Sequence, residues 1–144
     1  MIFLKNLSEK KVGVLGLGIT GFSIISCAIR CGANVACWDD DQKKRDEAKQ
    51  KGYDLVDLSL EKELQNLDFL LVSPGVSHLY PDTHDIIKSA YRLNIEVDND
   101  IGLFFSHYLS LNYEKFEREP KVIAITGSNG KSTVTALAGH VLSK

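Results

Sequence analysis

The sequence predicts an α/β protein: a parallel sheet with helices on both faces, followed by the opening strand, phosphate loop (P-loop) and helix of a second α/β domain. Three observations predict it. Short apolar runs alternate with segments of helical period over residues 12–107. Glycine-rich turns stand directly after apolar runs, where a parallel sheet places its strand-to-helix turns. A polar stretch over 108–120 then precedes one more apolar run, a second glycine loop and a helix-prone segment.

Val12-Gly13-Val14-Leu15 is β-rich and ends in glycines, which makes it the first strand. Residues 22–30 carry apolar side chains at helical spacing, and Gly32 stops the helix. Val35-Ala36-Cys37-Trp38 reads as a second buried strand, and the charged run 42–51 as a helix with Gly52 past its end. Phe69-Leu70-Leu71-Val72 is the third strand. Ile86, Ile87, Ala90 and Leu93 place a helix over 82–93; Ile95-Glu96-Val97 is a short fourth strand, and 100–107 a helix. Parallel neighbours require crossovers, expected to be right-handed. Residues 1–107 therefore read as one Rossmann-like domain. Asn112, Glu114, Lys115, Glu117, Arg118 and Glu119, ending at Pro120, mark 108–120 as a linker. Val122-Ile123-Ala124-Ile125 is expected to be a strand, and 132–142 a helix, opening a second domain over 121–144. One strand and one helix cannot bury a sheet face, so the chain reads as the front portion of a longer protein.

The bulk numbers exclude several classes. An apolar fraction of 44% and a charged fraction of 25% are those of a globular chain. A net charge of −2 gives no general attraction to nucleic acid or anionic membrane. No apolar run is long enough to span a bilayer, and residues 1–11 lack the apolar core and cleavage site of a secretory signal, so a cytoplasmic location is expected. Cys27, Cys31 and Cys37 are odd in number and lack a Cys-x-x-Cys pair or a neighbouring histidine, which points to buried thiols. His78, His84, His107 and His140 have no metal-site spacing, although His78 falls near the edge of the expected pocket. Asp98 and Asp100 suit either acid–base chemistry or a helix start favoured by the dipole.

Gly127-Ser128-Asn129-Gly130-Lys131-Ser132-Thr133 lies between an expected strand and a helix. Glycines let successive backbone amides point inward at phosphate oxygens, and the helix start adds its positive end. Lys131 supplies a full charge for the β and γ phosphates, and the Ser132 hydroxyl is a ligand for Mg²⁺. Ile125 stands where the strict eight-residue pattern has glycine, so this is a shorter variant. The alternative is a glycine-rich helix cap, but a lysine followed by two hydroxyl residues has no structural need there.

Gly16-Leu17-Gly18-Ile19-Thr20-Gly21 matches G-x-G-x-x-G after the first strand. Asp39 follows the second strand about 20 residues later, as a dinucleotide fingerprint requires. The pattern predicts a nucleotide or similar anion; a ligand-free packing turn is the alternative. Asp39, Asp40 and Asp41 would repel a 2′-phosphate, which disfavours NADP. Ser73-Pro74-Gly75 ends the third strand at the same sheet edge, where it reads either as a ligand-lining turn or an ordinary one.

These three segments, in this order, resemble the Mur ligases, and the resemblance covers essentially the whole chain. The phosphate loop belongs to a wider set that includes folylpolyglutamate synthases; the first glycine turn narrows the likeness to the branch that adds D-glutamate to UDP-N-acetylmuramoyl-L-alanine. The resemblance implies an amino-terminal domain for the UDP part of the substrate, a central domain for ATP and Mg²⁺, and a closing third domain. It implies phosphorylation of the substrate carboxylate by ATP, attack by the amine of D-glutamate, and a monomeric full-length enzyme in peptidoglycan synthesis. By position, Gly18, Ile19, Thr20 and Gly21 fall at the UDP phosphates, and Asp39 and Asp40 at the uracil. Ser73, Pro74 and Gly75 fall on the other side of the uracil. Gly127, Ser128, Asn129, Gly130, Lys131, Ser132 and Thr133 fall around ATP, with Lys131 catalytic and Ser132 on Mg²⁺. Two departures stand out. Asp40 and Asp41 follow Asp39 where relatives often have a hydroxyl or basic residue, and Gly102 stands where they often have glutamate. The rival reading is a redox or NAD-sensing module whose second glycine loop is only a cap.

Overall fold

The computed structural model describes residues 7–109 and 121–144. The chain divides into two compact units, Met1–Ser110 and Leu111–Lys144. Most of the expected linker, residues 110–120, lies outside the described residues.

In the first unit the order is β1 (Lys11–Leu15), α1 (Ile19–Arg30), β2 (Asn34–Trp38), α2 (Gln42–Gln50), β3 (Asp54–Leu55) and α3 (Glu61–Leu64). Then come β4 (Phe69–Val72), α4 (Asp85–Arg92), β5 (Glu96–Asp98) and α5 (Asp100–Leu109). The sheet has five strands in the order β3-β2-β1-β4-β5, and every pair is parallel. This is the parallel α/β architecture the sequence predicts.

Two side-chain layers hold it together. Val12, Val14 and Leu71 point to one face, where Ile24, Ile25 and Ala28 of α1, Ala48 of α2 and Leu103 of α5 cover them. Leu15, Leu70 and Val72 point to the other, against Leu64 of α3 and Ile86, Ile87 and Ala90 of α4. Burial on both faces is why these strands read as continuous apolar runs rather than alternating ones. Cys31 and Cys37 are buried and Cys27 is partly buried, and none of the three is in a disulfide among the described residues. Burial, aided by the Asp54 carboxylate, pushes the Cys37 thiol up to about 11, so it stays protonated at neutral pH.

The differences from expectation are local. β3 and α3 were too short to leave a periodic signal; β3 exists because Asp54 and Leu55 register against Ala36 and Cys37. α1 starts at Ile19 rather than 22; its first turn left no apolar stripe to read, because Ile19 is exposed and the buried residue there, Gly21, has no side chain. α4 starts at Asp85 rather than 82, because the His84 side chain caps it.

In the second unit α6 (Lys131–Leu142) follows the loop 126–130. The expected strand Val122-Ile123-Ala124-Ile125 does not form: a strand is defined by a ladder partner, and none pairs with it among the described residues. α6 has no buried residue, and Val134, Leu137 and Val141 are exposed. Among the described residues no helix is long and apolar enough to cross a membrane.

Leu71 is fully buried at the centre of the first layer. Leu71→Ala is expected to cost about 2–5 kcal/mol, read as a lower urea midpoint with an unchanged slope.

Candidate functional site

The sheet winds outward from β1 in both directions, to β2 on one side and to β4 on the other. The crevice outside the carboxyl ends of β1 and β4 is thus a topological switch point, where open α/β sheets take ligands. The first glycine turn fills its floor. Gly16, with φ of 93°, donates its amide to Trp38 O at 2.9 Å. Its carbonyl accepts from Ser73 Oγ at 2.9 Å, and the Ser73 amide donates to Leu15 O at 2.9 Å. A Cβ on Gly21 would land on the Gly16 carbonyl oxygen, and one on Gly16 would sit 2.7 Å from Val76 Cγ2. Gly16, Gly21 and Ser73 therefore form one packed knot that fixes α1 against the strand ends.

Gly18 is open. It is the N-cap of α1 and provides no side-chain cap. The amides of Ile19, Thr20 and Gly21 donate to no acceptor among the described residues, and Ile19 is 91% exposed. Unsatisfied first-turn amides at the positive end of a twelve-residue helix form a ready anion site.

The three aspartates after β2 have three separate jobs. Asp39 Oδ2 accepts from the buried Leu17 amide at 2.6 Å and Oδ1 from the Asp41 amide at 2.9 Å. Its carboxylate ties the glycine turn to the β2–α2 loop. Asp41 caps α2 by accepting from the Lys43 amide at 2.9 Å. Asp40 faces the crevice, with Oδ2 2.8 Å from His84 Nε2. Beneath them, Arg45 Nη1 donates to the carbonyls of Asp39 at 2.6 Å and Asp40 at 2.8 Å, and its guanidinium lies 4.6 Å over the Trp38 ring. Arg45 and His84 had no motif to announce them, and the sequence pattern places His84 inside the expected helix 82–93 rather than at its cap.

A cavity of about 250 Å³ lies at this edge, lined by Gly16, Asp39, Asp40, Gly75, Val76 and His84. Ser73 and Pro74 instead line a neighbouring cavity of about 450 Å³ with His78, Asp98 and Asp100. The Ser73-Pro74-Gly75 turn is thus shared between two hollows, and Thr20 lines neither. A larger cavity of about 500 Å³, lined by Lys11, Asn34, Tyr53 and Glu63 among others, contains none of the sequence-predicted residues. It includes the first residues of β1 and β2, the wrong end of the strands for a ligand of this fold.

At the start of α5 the capping group is Asn99, between the two aspartates; Asp98 supports it, and Asp100 Oδ1 is buried without a hydrogen-bond partner among the described residues. Asn99 Oδ1 accepts from the amides of Ile101 at 3.0 Å and Gly102 at 2.9 Å, and Asp98 Oδ1 accepts from the Asn99 amide at 2.8 Å. A Cβ on Gly102 would land on the Asp98 carboxylate, so glycine here is the counterpart of aspartate at 98. Among the described residues no group of three or more His, Cys, Asp or Glu is placed to hold a metal.

In the second unit Gly130, with φ of 79°, is the N-cap of α6. The amides of Lys131, Ser132 and Thr133 donate to no acceptor among the described residues, and Lys131 Nζ donates to Gly127 O at 2.7 Å. The ammonium thus lies across the loop, beside an open helix start.

An open parallel sheet with a glycine knot and an uncapped helix start at its switch point defines the Rossmann-like class. Residues 10–97 match the family model described as Mur ligase MurD-like, N-terminal domain. The chain belongs to this MurD-like family of Mur ligases. It is 40% identical over 144 residues to the UDP-N-acetylmuramoylalanine–D-glutamate ligase of Cereibacter sphaeroides, covering all of this chain and 31% of that one. It is 42% identical over 142 residues to the enzyme of the same name from Roseobacter denitrificans, covering 99% of this chain and again 31% of the relative. The chain therefore spans under a third of the length of these relatives. Among solved structures, shikimate dehydrogenase from Aquifex aeolicus shares the fold, with a TM-score of 0.55 at 15% identity over 80% of this chain and 51% of that one.

Asp39→Ala is expected to strand the buried Leu17 amide at a cost of about 1–3 kcal/mol. Hydrogen exchange at Leu17 should accelerate more than at Leu71.

Proposed function

We propose that this chain is the UDP-substrate- and ATP-binding front portion of an ATP-dependent ligase that joins D-glutamate to UDP-N-acetylmuramoyl-L-alanine. In this reading residues 1–107 bind the UDP moiety, 108–120 are a linker, and 121–144 open the ATP-binding domain. The observation that carries the proposal is the pairing, in one MurD-like chain, of an uncapped helix start at the switch point with a second one beside a lysine.

The amides of Ile19, Thr20 and Gly21 bind the substrate diphosphate, with Gly18 leaving room for close approach. Gly75 and Asp40 flank the uracil in the adjoining cavity. Asp39, with both oxygens held by backbone amides, shapes this site. Ser73 locks the turn through Gly16, and Pro74 fixes the backbone beside it.

The second loop fits a polyphosphate, because open amides and an ammonium converge there without a carboxylate partner among the described contacts. Gly127, Ser128, Asn129 and Gly130 wrap the phosphates, Lys131 neutralises charge on the transferred group, and the Ser132 hydroxyl and neighbouring Thr133 lie at the Mg²⁺ side. ATP bound there supplies the phosphoryl group that activates the substrate carboxylate. The D-glutamate site belongs to the remainder of the full-length protein, which we place in the cytoplasm as a monomer.

Titrating UDP into the chain should move the amide resonances of Thr20 and Gly75 in a saturable way, while NADH should not. A response to NADH alone would favour a redox or sensing role. In the full-length protein Lys131→Ala should lower kcat by about 10²–10³-fold with the fold intact; unaltered turnover would remove Lys131 from the mechanism.

A further inference from the structure

We propose that His84 is a positioning residue that aims the Asp40 carboxylate into the nucleobase cavity and thereby selects uracil over cytosine. This deepens the UDP-binding reading and rests on it. The argument starts from the carboxylates available in the cavity. Asp39 and Asp40 both line it. Asp39 has both oxygens taken by backbone amides. Asp41 is spent on the cap of α2. Of the two carboxylates that line the cavity, only Asp40 keeps an oxygen, Oδ1, with no partner among the described contacts, while Oδ2 is held by His84.

The histidine is itself held from two sides. Its backbone amide donates to Ser77 O at 2.9 Å, and its Nδ1 accepts from the Ile86 amide at 3.2 Å. An Nδ1 that accepts carries no proton, so in the neutral ring the proton is on Nε2, where it donates to Asp40 Oδ2. The imidazole is only 22% exposed, whereas the Asp40 side chain is 70% exposed. The partly buried ring, held on two sides, is thus the fixed partner and the exposed carboxylate the one being held. Arg45 secures the other end of the same residue through the Asp40 carbonyl.

A carboxylate oxygen fixed in this way accepts a hydrogen bond and offers none. Uracil presents N3–H, a donor, between two carbonyls. Cytosine presents N3 as a lone pair, which the carboxylate repels. A site built around one such hydrogen bond discriminates against a ligand that lacks the donor. The carboxylate must be oriented for this to work, and the imidazole supplies the orientation.

The test uses the 144-residue chain with UDP and CDP as probes, read by calorimetry, and ¹⁵N spectra of the imidazoles. The unmodified chain should prefer UDP by about tenfold or more, and His84 should be the Nε2–H tautomer. His84→Asn keeps an oxygen to cap α4 but is too short to reach Asp40. It should fold normally yet lose most of the UDP preference, as Asp40→Asn should. If His84→Asn keeps the UDP-to-CDP ratio, the histidine acts only as a helix cap and the proposal falls, while UDP binding stands. An Nδ1–H tautomer in the unmodified chain would also overturn it. If the unmodified chain binds neither nucleotide, the UDP reading fails and base selection fails with it.

Discussion

The site depends on one carboxylate. Asp39 reaches from the end of β2 to the Leu17 amide in the glycine turn, and with its other oxygen to the Asp41 amide that leads into α2. Leu17 is fully buried, so its amide has no water to turn to. The bond is therefore close to obligatory, and it joins the two loops that flank the switch point. Gly16 and Gly21 complete the knot from below: each leaves space that neighbouring backbone or side chains already occupy. What remains open above the knot is the start of α1, with its uncapped amides.

Consecutive acidic residues beside the proposed anion site look self-defeating, and the structure resolves the conflict by dividing labour. Asp39 and Asp41 spend their charge on backbone amides within their own loops. Asp40 is set against His84, and Arg45 grips the loop by its carbonyls while stacking on Trp38. The positive charge that the proposed diphosphate site needs would thus come from the helix dipole, with Arg45 giving rigidity to the loop beside it. At α5 the same economy operates in reverse, where Gly102 makes space for the Asp98 carboxylate.

Periodicity made the long elements legible. β1, β2 and β4 have uninterrupted apolar cores, and α4 has Ile86, Ile87 and Ala90 on one stripe. β3 was invisible because two residues cannot establish a period; it is held only by its register to β2. The Val122–Ile125 run has strand composition but no strand beside it among the described residues, which composition cannot reveal. At the site, the position of Asp39 was legible from its spacing behind the glycine turn, because that spacing reflects a fixed strand–helix–strand path; its role was not, since the sequence pattern sets it against the ligand whereas both its oxygens accept from backbone amides. Asp40 with His84 was not, because the partners are 44 residues apart and meet only when β2 ends and α4 begins at the same edge. Gly102 was noticeable as a departure, but its reason lies in the side chain of Asp98.

The most direct test is a crystal structure of the chain with UDP bound. The diphosphate should accept hydrogen bonds from the Ile19 and Thr20 amides, with the uracil between Asp40 and Gly75. A nucleotide found instead in the hollow beside Tyr53 and Glu63, or bound with its phosphates away from the start of α1, would contradict the account.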